Sequence, residues 1–376
     1  MQNRRVVITR HGGPEVLQLI KDNLPEPTPG EVRVKILATG VAFADMLMRL
    51  GLYRPVPPLP FSPGYDIVGE VNGKLFVALT VTGGYAEYIN LPESELVPAP
   101  PGLDPAEVVS LVLNYVTAYQ LLHRAATVSP GAKVLVRAAA GGVGTALLQL
   151  GRIAGLEMYG TASPRKHGIV ASFGATPLDY SAKLPAVDLA LDPIGGASWR
   201  RSFQALRKGG QLVVFGISSA LGPQGANRMK AVGSFLLLGL LKAIPDGKPK
   251  HFYAITTMKK EHPEWFREDM TKLLAMGLAH CGREDEHLNF RIAILLCGIA
   301  TLALDAQIPA PTVLQRPPFN PKVPPSGAPR TSLMMRQPKK NPGLANPSGV
   351  RRLRTKAERK ADAKQVKAFL AKHPQF

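Results

Sequence analysis

Apolar positions along the chain fall into two regimes. Up to Pro101 they come as short β-branched runs set between Gly and Pro, with no long helical period. Arg5–Thr9, Val32–Ala38 and Ile67–Val71 read as strands. Phe76–Val81 and Tyr85–Leu91 continue them, with Thr82-Gly83-Gly84 as the turn between. This pattern predicts a mainly β domain of irregular loops. Pro98–Gly102 marks its end, and Asp104 is placed to cap a helix that starts at Pro105. A second helix is expected over Val116–Ala126, before Ser129-Pro130-Gly131.

Beyond that point strand-sized runs alternate with helical periods. Strands are expected at Val134–Val136, Glu157–Ala162, Pro177–Tyr180, Asp188–Asp192, Gln211–Phe215 and His251–Thr256. Helices are expected at Thr145–Ile153, Arg165–Phe173, Ser198–Arg207 and Glu264–Ala275. This alternation predicts an α/β fold with a doubly wound parallel sheet of the Rossmann type. No internal repeat is apparent.

The first strand, the small-residue turn Ala138–Gly144 and the helix after it form the context a dinucleotide fingerprint requires. Ala139 takes the place of the first glycine, Gly141 the second and Gly144 the third, with Gly142 and Val143 inside the turn. Gly141 lets a pyrophosphate approach the backbone, Gly144 lets the helix pack on its strand, and the helix N-terminus faces the phosphates. The second strand ends at Thr161-Ala162-Ser163, followed by Pro164-Arg165-Lys166. There is no carboxylate for a ribose 2′-hydroxyl, but a hydroxyl and two cations suit a 2′-phosphate, so Ser163, Arg165 and Lys166 predict NADPH. Tyr180, at the end of the third strand, is either packed beside the same phosphate or part of the core.

Composition adjusts this picture only at the edges. The chain has 376 residues, enough for two domains, and is 45% hydrophobic. Met1–Gly13 is polar and basic, so no signal peptide is expected there. The apolar runs Phe235–Leu241 and Ile292–Leu304 are shorter than the roughly 20 residues of a spanning helix. Cys281 and Cys297 make neither a disulfide framework nor a zinc set, and a reducing, cytoplasmic location is expected. The net charge is +19, of which +13 lies in 306–376 and +6 in the remainder. The basic character is therefore mainly that of a tail.

Taken together, Ala138–Gly144, Thr161–Lys166, Asp179-Tyr180, Asp192–Gly196 and Val214–Gly216 resemble the medium-chain dehydrogenase/reductase superfamily. The branch is that of the zinc-independent quinone oxidoreductases, which includes vesicle amine transport protein homologues. Gly40–Tyr53, Phe61–Glu70, Gly84–Ile89 and Asn114–Tyr119 resemble the same branch, and the likeness runs from Arg4 to Leu274. It implies a GroES-like catalytic domain over 1–113, a Rossmann domain over 114–278, NADPH in the cleft between them, and a homodimer. It implies hydride transfer to quinones or α,β-unsaturated carbonyls. An enoyl reductase acting on another activated alkene, or a non-catalytic NADPH-binding protein, is the alternative.

The resemblance also assigns residues. Asp45, Arg49 and Tyr53 match the family's catalytic segment, but Ala42 stands where the family has Asn. Tyr53 is expected to position substrate or donate a proton, or else to pack in its Pro-rich loop. Asp45 is expected to hold Arg49 or a loop backbone. Asn114 and Thr117 are expected at the nicotinamide, with helix packing as the alternative for Thr117, and Phe215 and Gly216 at the cofactor. The places of the zinc ligands in metal-dependent relatives read Val41-Ala42-Phe43 and Gly64-Tyr65-Asp66, so no metal is expected. Two segments depart from the family. Glu70–Phe76 is shortened, and the strands that return to the catalytic domain are not found after Met276. Residues 279–376 read instead as an apolar, Pro-rich and basic tail, largely disordered, whose Lys356–His373 stretch suits acidic partners.

Overall fold

The computed structural model describes residues 1–53, 55–222 and 225–280. The tail expected over 279–376, with Cys281, Cys297 and the run Ile292–Leu304, lies outside the described residues except for the end of the last helix.

The N-terminal part opens with the antiparallel hairpin β1 (Gln2–Ile8) and β2 (Leu17–Asn23). It continues with β3 (Glu31–Thr39), helix α1 (Phe43–Arg49), β4 (Ile67–Val71), β5 (Lys74–Ala78), β6 (Tyr88–Pro92) and β7 (Val97–Pro98). The last five strands form one antiparallel sheet in the order β6-β3-β4-β5-β7. Alternation sets its register. Val34, Ile36 and Ile67 face one buried cluster with Ala78, while Val68 and Val77 face the main core. The expected hairpin of Phe76–Val81 with Tyr85–Leu91 does not form. β5 pairs with β4, the strand before it, and with β7, while β6 pairs with β3.

The connection to the second part is helical. Helix α2 (Pro105–Ser110) starts where expected, with the Asp104 carboxylate accepting from the Ala106 N–H at 2.9 Å. A π-helical turn, Leu111–Tyr115, joins it to α3 (Val116–His123). There follow β8 (Lys133–Val136), α4 (Gly142–Ile153), β9 (Glu157–Thr161), α5 (His167–Ser172), β10 (Thr176–Leu178), β11 (Val187–Asp192), α6 (Ala197–Gln204) and β12 (Leu206–Val214). The short pair β13 (Leu221–Gly222) and β14 (Gly225–Ala226) leads into α7 (Arg228–Lys242), β15 (Lys250–Phe252), α8 (Ile255–Glu261) and α9 (Pro263–His280). The parallel sheet runs β10-β9-β8-β11-β12-β15. Its order reverses between β8 and β11, which pair Leu135 with Ala190, so a crevice opens beyond Val136 and Asp192 at the carboxyl ends of the strands.

Two expectations about elements need correction, and one run gains an element. The strand expected over His251–Thr256 covers only Lys250–Phe252, since Ile255 already begins α8. The helix expected over Arg165–Phe173 begins as a tighter 3₁₀ turn, Pro164–Lys166. The run Phe235–Leu241, to which the sequence assigned no element, is part of α7.

One apolar cluster runs through both parts, from Val68 and Val77 through Val112, Val116 and Leu121 to Leu147, Leu148 and Met270. Polar groups fasten the same seam. Asp269, fully buried on α9, accepts from Gln120 Nε2 at 3.0 Å and Arg124 Nη2 at 2.8 Å. Gln120 Oε1 accepts from the Tyr253 hydroxyl at 2.7 Å. Lys259 Nζ donates to Leu79 O at 2.7 Å and Glu95 Oε2 at 2.8 Å. Truncating Asp269 strands the buried Gln120 Nε2, while Arg124 Nη2 keeps Glu268 Oε2 at 2.7 Å, so Asp269→Ala is expected to cost about 1–3 kcal/mol of unfolding free energy in a urea titration. Asp269→Asn, which keeps one acceptor, is expected to cost less.

Candidate active site

At the phosphate end of the crevice the chain turns sharply after β8. Ala138 adopts φ of 54°, a left-handed conformation unusual for a residue with a side chain. Its neighbour Ala139 is fully buried, and a Cβ added at Gly160 would lie 2.7 Å from the Ala139 Cβ, so the first glycine position tolerates Ala because β9 supplies the missing room. Helix α4 then starts at Gly142 with Gly141 as its N-cap and no side chain on its free N–H groups. A Cβ at Gly141 would meet only Ala138 O, at 3.3 Å, whereas one at Gly144 would lie 2.6 Å from both Ala138 O and Ala139 O. The first glycine of the pair touches a single backbone oxygen and is otherwise exposed, and the second presses on two. That is the cradle a pyrophosphate needs. Gly142 and Val143 are half-buried, and Val143 packs on the core.

Ser163 caps the 3₁₀ turn at the end of β9, and Arg165 and Lys166 are exposed on it. Neither cation is in an ion pair among the described residues, while the neighbouring His167 lies 3.6 Å from Asp179. Tyr180 is exposed, which removes the core alternative for it. Phe215 is half-buried against the core, with its N–H on Asp192 O at 3.2 Å, and a Cβ at Gly216 would sit 2.9 Å from Pro193 O. Thr117 is the residue that changes role. It is buried and hydrogen-bonded to Tyr253, so it packs the helix instead of facing the crevice.

A second group gathers at the N-terminal sheet. The Tyr53 and Tyr65 hydroxyls are 2.6 Å apart, with rings edge to face at 6.1 Å. Tyr65 is buried and also hydrogen-bonded to Thr256 on α8, and burial pushes its phenol well above the usual range, so it stays neutral. Beneath it Asp45 accepts from Gly64 N at 2.9 Å, Ala42 N at 2.8 Å and the Tyr85 hydroxyl at 3.3 Å. It therefore holds loop backbone and not Arg49, whose guanidinium donates to Gly12 O. Asp66 accepts from Gly40 N and Leu113 N, both at 3.1 Å. Leu113 belongs to the π-helical turn, the next residue is Asn114, and the Asn114 side chain lies against Gly142, 3.0 Å from where a Cβ there would be. This run of contacts joins the phenol pair to the phosphate cradle.

The sequence reading did not foresee Tyr65, Asp66 and Thr256 as a set. The signal available was that Tyr65 and Asp66 occupy positions of former metal ligands. Arg137 was also missed. It ends beside the crevice, its Nε donating to Ser198 at 3.2 Å and its buried Nη1 without a partner among the described residues, near the buried Asp192.

The doubly wound sheet joined to a small antiparallel sheet, with a glycine cradle at the switch point, defines a nucleotide-dependent dehydrogenase/reductase architecture. The Alcohol dehydrogenase GroES-like domain family matches residues 28–75. The rat synaptic vesicle membrane protein VAT-1 homolog is 33% identical over 247 residues, covering 59% of this chain and 61% of the relative, so the chain spans about three fifths of that protein's length. Human quinone oxidoreductase is 30% identical over 239 residues, covering 57% of this chain and 73% of the relative. A quinone oxidoreductase of Thermus thermophilus, whose crystal structures include a complex with NADPH, is 33% identical with a TM-score of 0.61, covering 72% of this chain and 87% of that one. The chain belongs to the quinone oxidoreductase-like branch of the medium-chain dehydrogenase/reductase superfamily.

The two buried carboxylates make stability depend on pH. Burial without a cation pushes Asp45 up to about 6, and burial together with the nearby Asp45 pushes Asp66 up to about 7, from an ordinary 3.8. A carboxyl that keeps its proton in the folded protein after the unfolded chain has lost it favours unfolding as pH rises. Between pH 4.5 and 7 these two groups are therefore expected to lower the unfolding free energy, by at most about 1.4 kcal/mol per pH unit each. Asp66→Asn is expected to flatten that slope in urea titrations across the window. An unchanged slope would place the protonated carboxyl elsewhere.

Proposed function

We propose that the chain is an NADPH-dependent reductase that passes hydride to quinones or α,β-unsaturated carbonyls without a metal. The observation that carries this reading is the start of α4, without a side-chain cap, with Gly141 exposed and close backbone contact at Gly144, beside the exposed pair Arg165 and Lys166. Its relatives among quinone oxidoreductases support the same chemistry. In this reading residues 1–113 are the catalytic domain and 114–278 the cofactor domain, and the protein is a cytoplasmic homodimer. Among the described residues no helix is long and apolar enough to cross a membrane.

Bound NADPH supplies the hydride. The N–H groups of α4 would hold the pyrophosphate, Ser163, Arg165 and Lys166 would bind the 2′-phosphate, and Asn114, beside Gly142, would orient the nicotinamide end. The Tyr53 hydroxyl donates a proton to the reduced carbonyl oxygen, and the neutral Tyr65 fixes that hydroxyl in place. One hydride and one proton complete the two-electron reduction of either acceptor, giving a hydroquinone from a quinone and, through its enol, a saturated carbonyl from an enone. The former metal positions do not fit zinc. Ala42 offers no side-chain donor, Tyr65 is neutral and committed to Tyr53 and Thr256, and both Asp66 oxygens already accept backbone N–H groups. A second reading, NADPH binding without turnover, is favoured by Ala42 in place of the family's Asn. NADPH fluorescence titration followed by turnover with a panel of quinones and enones separates the two.

Lys166→Ala is expected to weaken NADPH by roughly 10- to 100-fold, the loss of one charge-assisted contact, and to leave NADH nearly unchanged. Equal loss for both cofactors would remove the basic pair from the 2′-phosphate.

Gly141→Val is expected to abolish NADPH binding with only a small drop in melting temperature, since Gly141 is exposed and its Cβ would meet one backbone oxygen, Ala138 O, at 3.3 Å. Gly144→Val is expected to unfold the protein, because its Cβ meets two backbone carbonyls.

Tyr53→Phe is expected to lower kcat about 100-fold while NADPH affinity stays within a factor of two, as loss of a general acid requires. Unchanged kcat with every reactive substrate would assign the proton to water.

A further inference from the structure

The longest described helix of the parallel-sheet region before α9 is α7, and it is apolar on two faces. The inner face is accounted for. Ser234, Leu238 and Leu241 are buried, with Leu238 and Leu241 in a cluster around Trp199. The N-terminus is closed by the Asn227 side chain, which accepts from Lys230 N at 3.0 Å. The outer face carries Met229, Val232, Leu236 and Leu240, exposed by 84%, 58%, 65% and 69%. A Cβ added at Gly233 or Gly239 would meet nothing within 4 Å, so this side of the helix is open. Phe235, at its margin, packs edge to face on Phe252 at 5.2 Å, which carries the apolar surface towards the sheet edge.

At 3.6 residues per turn, Val232, Leu236, Met229 and Leu240 fall in one stripe along the helix. Arg228 and Lys242 border it on one side and Lys230 on the other. No carboxylate occurs anywhere from Pro193 to Pro245, a stretch with seven Lys and Arg. An apolar stripe on a helix whose own charged residues are all cations is the pattern of a helix lying in a bilayer interface, with its apolar side chains among the acyl chains and its cations at the phosphates. A second copy docked through the same ridge would set these cations against their own equivalents, with no acid on the segment to answer them.

We infer that the outer face of α7 is a docking surface for an anionic lipid bilayer, on which the protein rests peripherally. At 15 residues the helix lies along the surface and does not cross it. The inference goes beyond the reductase reading and does not depend on it.

The test uses the full chain and two variants. Leu236→Trp reports on the ridge, against a background of the only two native tryptophans, Trp199 and Trp265. With phosphatidylcholine vesicles containing phosphatidylserine, the added indole is expected to shift its emission to the blue and to be quenched by brominated acyl chains. Pure phosphatidylcholine is expected to give a much weaker effect. Met229→Ser/Leu236→Ser/Leu240→Ser keeps every cation of the chain, including those of 306–376. It is expected to lower vesicle partitioning at least tenfold at unchanged melting temperature, since three exposed apolar anchors are removed. An indole that stays water-exposed on anionic vesicles overturns the inference, as does partitioning unaffected by the triple serine variant. An indole already blue-shifted without lipid, in a protein that sediments as a dimer until the serine variant makes it monomeric, assigns the ridge to a second copy and overturns it as well.

Discussion

The interaction on which the rest of the site depends is the Asp66 carboxylate. It is buried, lacks a cationic partner, and spends its two oxygens on Gly40 N at the end of β3 and Leu113 N in the π-helical turn. One side chain thereby fixes the antiparallel sheet to the helical connection that leads into the parallel sheet. The turn it caps has the wider hydrogen-bond pattern that frees an N–H for such a contact. Next to that N–H stands Asn114, and against Asn114 stands Gly142 at the start of α4. A shift of this carboxylate would therefore move the phenol pair and the phosphate cradle relative to each other.

Two kinds of constraint meet here. The cradle depends on the absence of side chains, with Gly144 pressed on the carbonyls of Ala138 and Ala139 and Gly141 facing outward. The phenol pair depends on the opposite, dense packing that desolvates Tyr65 and holds its hydroxyl 2.6 Å from that of Tyr53. Backbone dipoles suit an anion that must enter and leave, while a buried neutral phenol suits a proton that must be handed over in a fixed direction. The substitutions at the former metal positions fit this division. Tyr65 and Asp66 have become internal hydrogen-bonding groups, each with its polar atoms engaged by the protein.

The fingerprint, the alternation of strands and helices and the basic pair after β9 were legible in the sequence, because each rests on local rules. Glycine spacing, helix caps such as Asp104 and the 3.6- and 2-residue periods act over a few neighbours. They determined the parallel sheet, the position of the cradle and the residues at its rim. The tertiary structure decided what depends on distant partners. β5 and β6 find neighbours other than each other, since burial of Val34, Ile36 and Ile67 outweighs the short turn between them. Thr117 turns to Tyr253, and Asp45 takes the backbone of Gly64 instead of Arg49. Tyr53 and Tyr65 meet only because α1 and the loop before β4 fold over the same ground. α7 shows the limit most plainly. A run of leucines has no period, and only the neighbouring Trp199 cluster selects which of its faces is buried and which is left to the solvent.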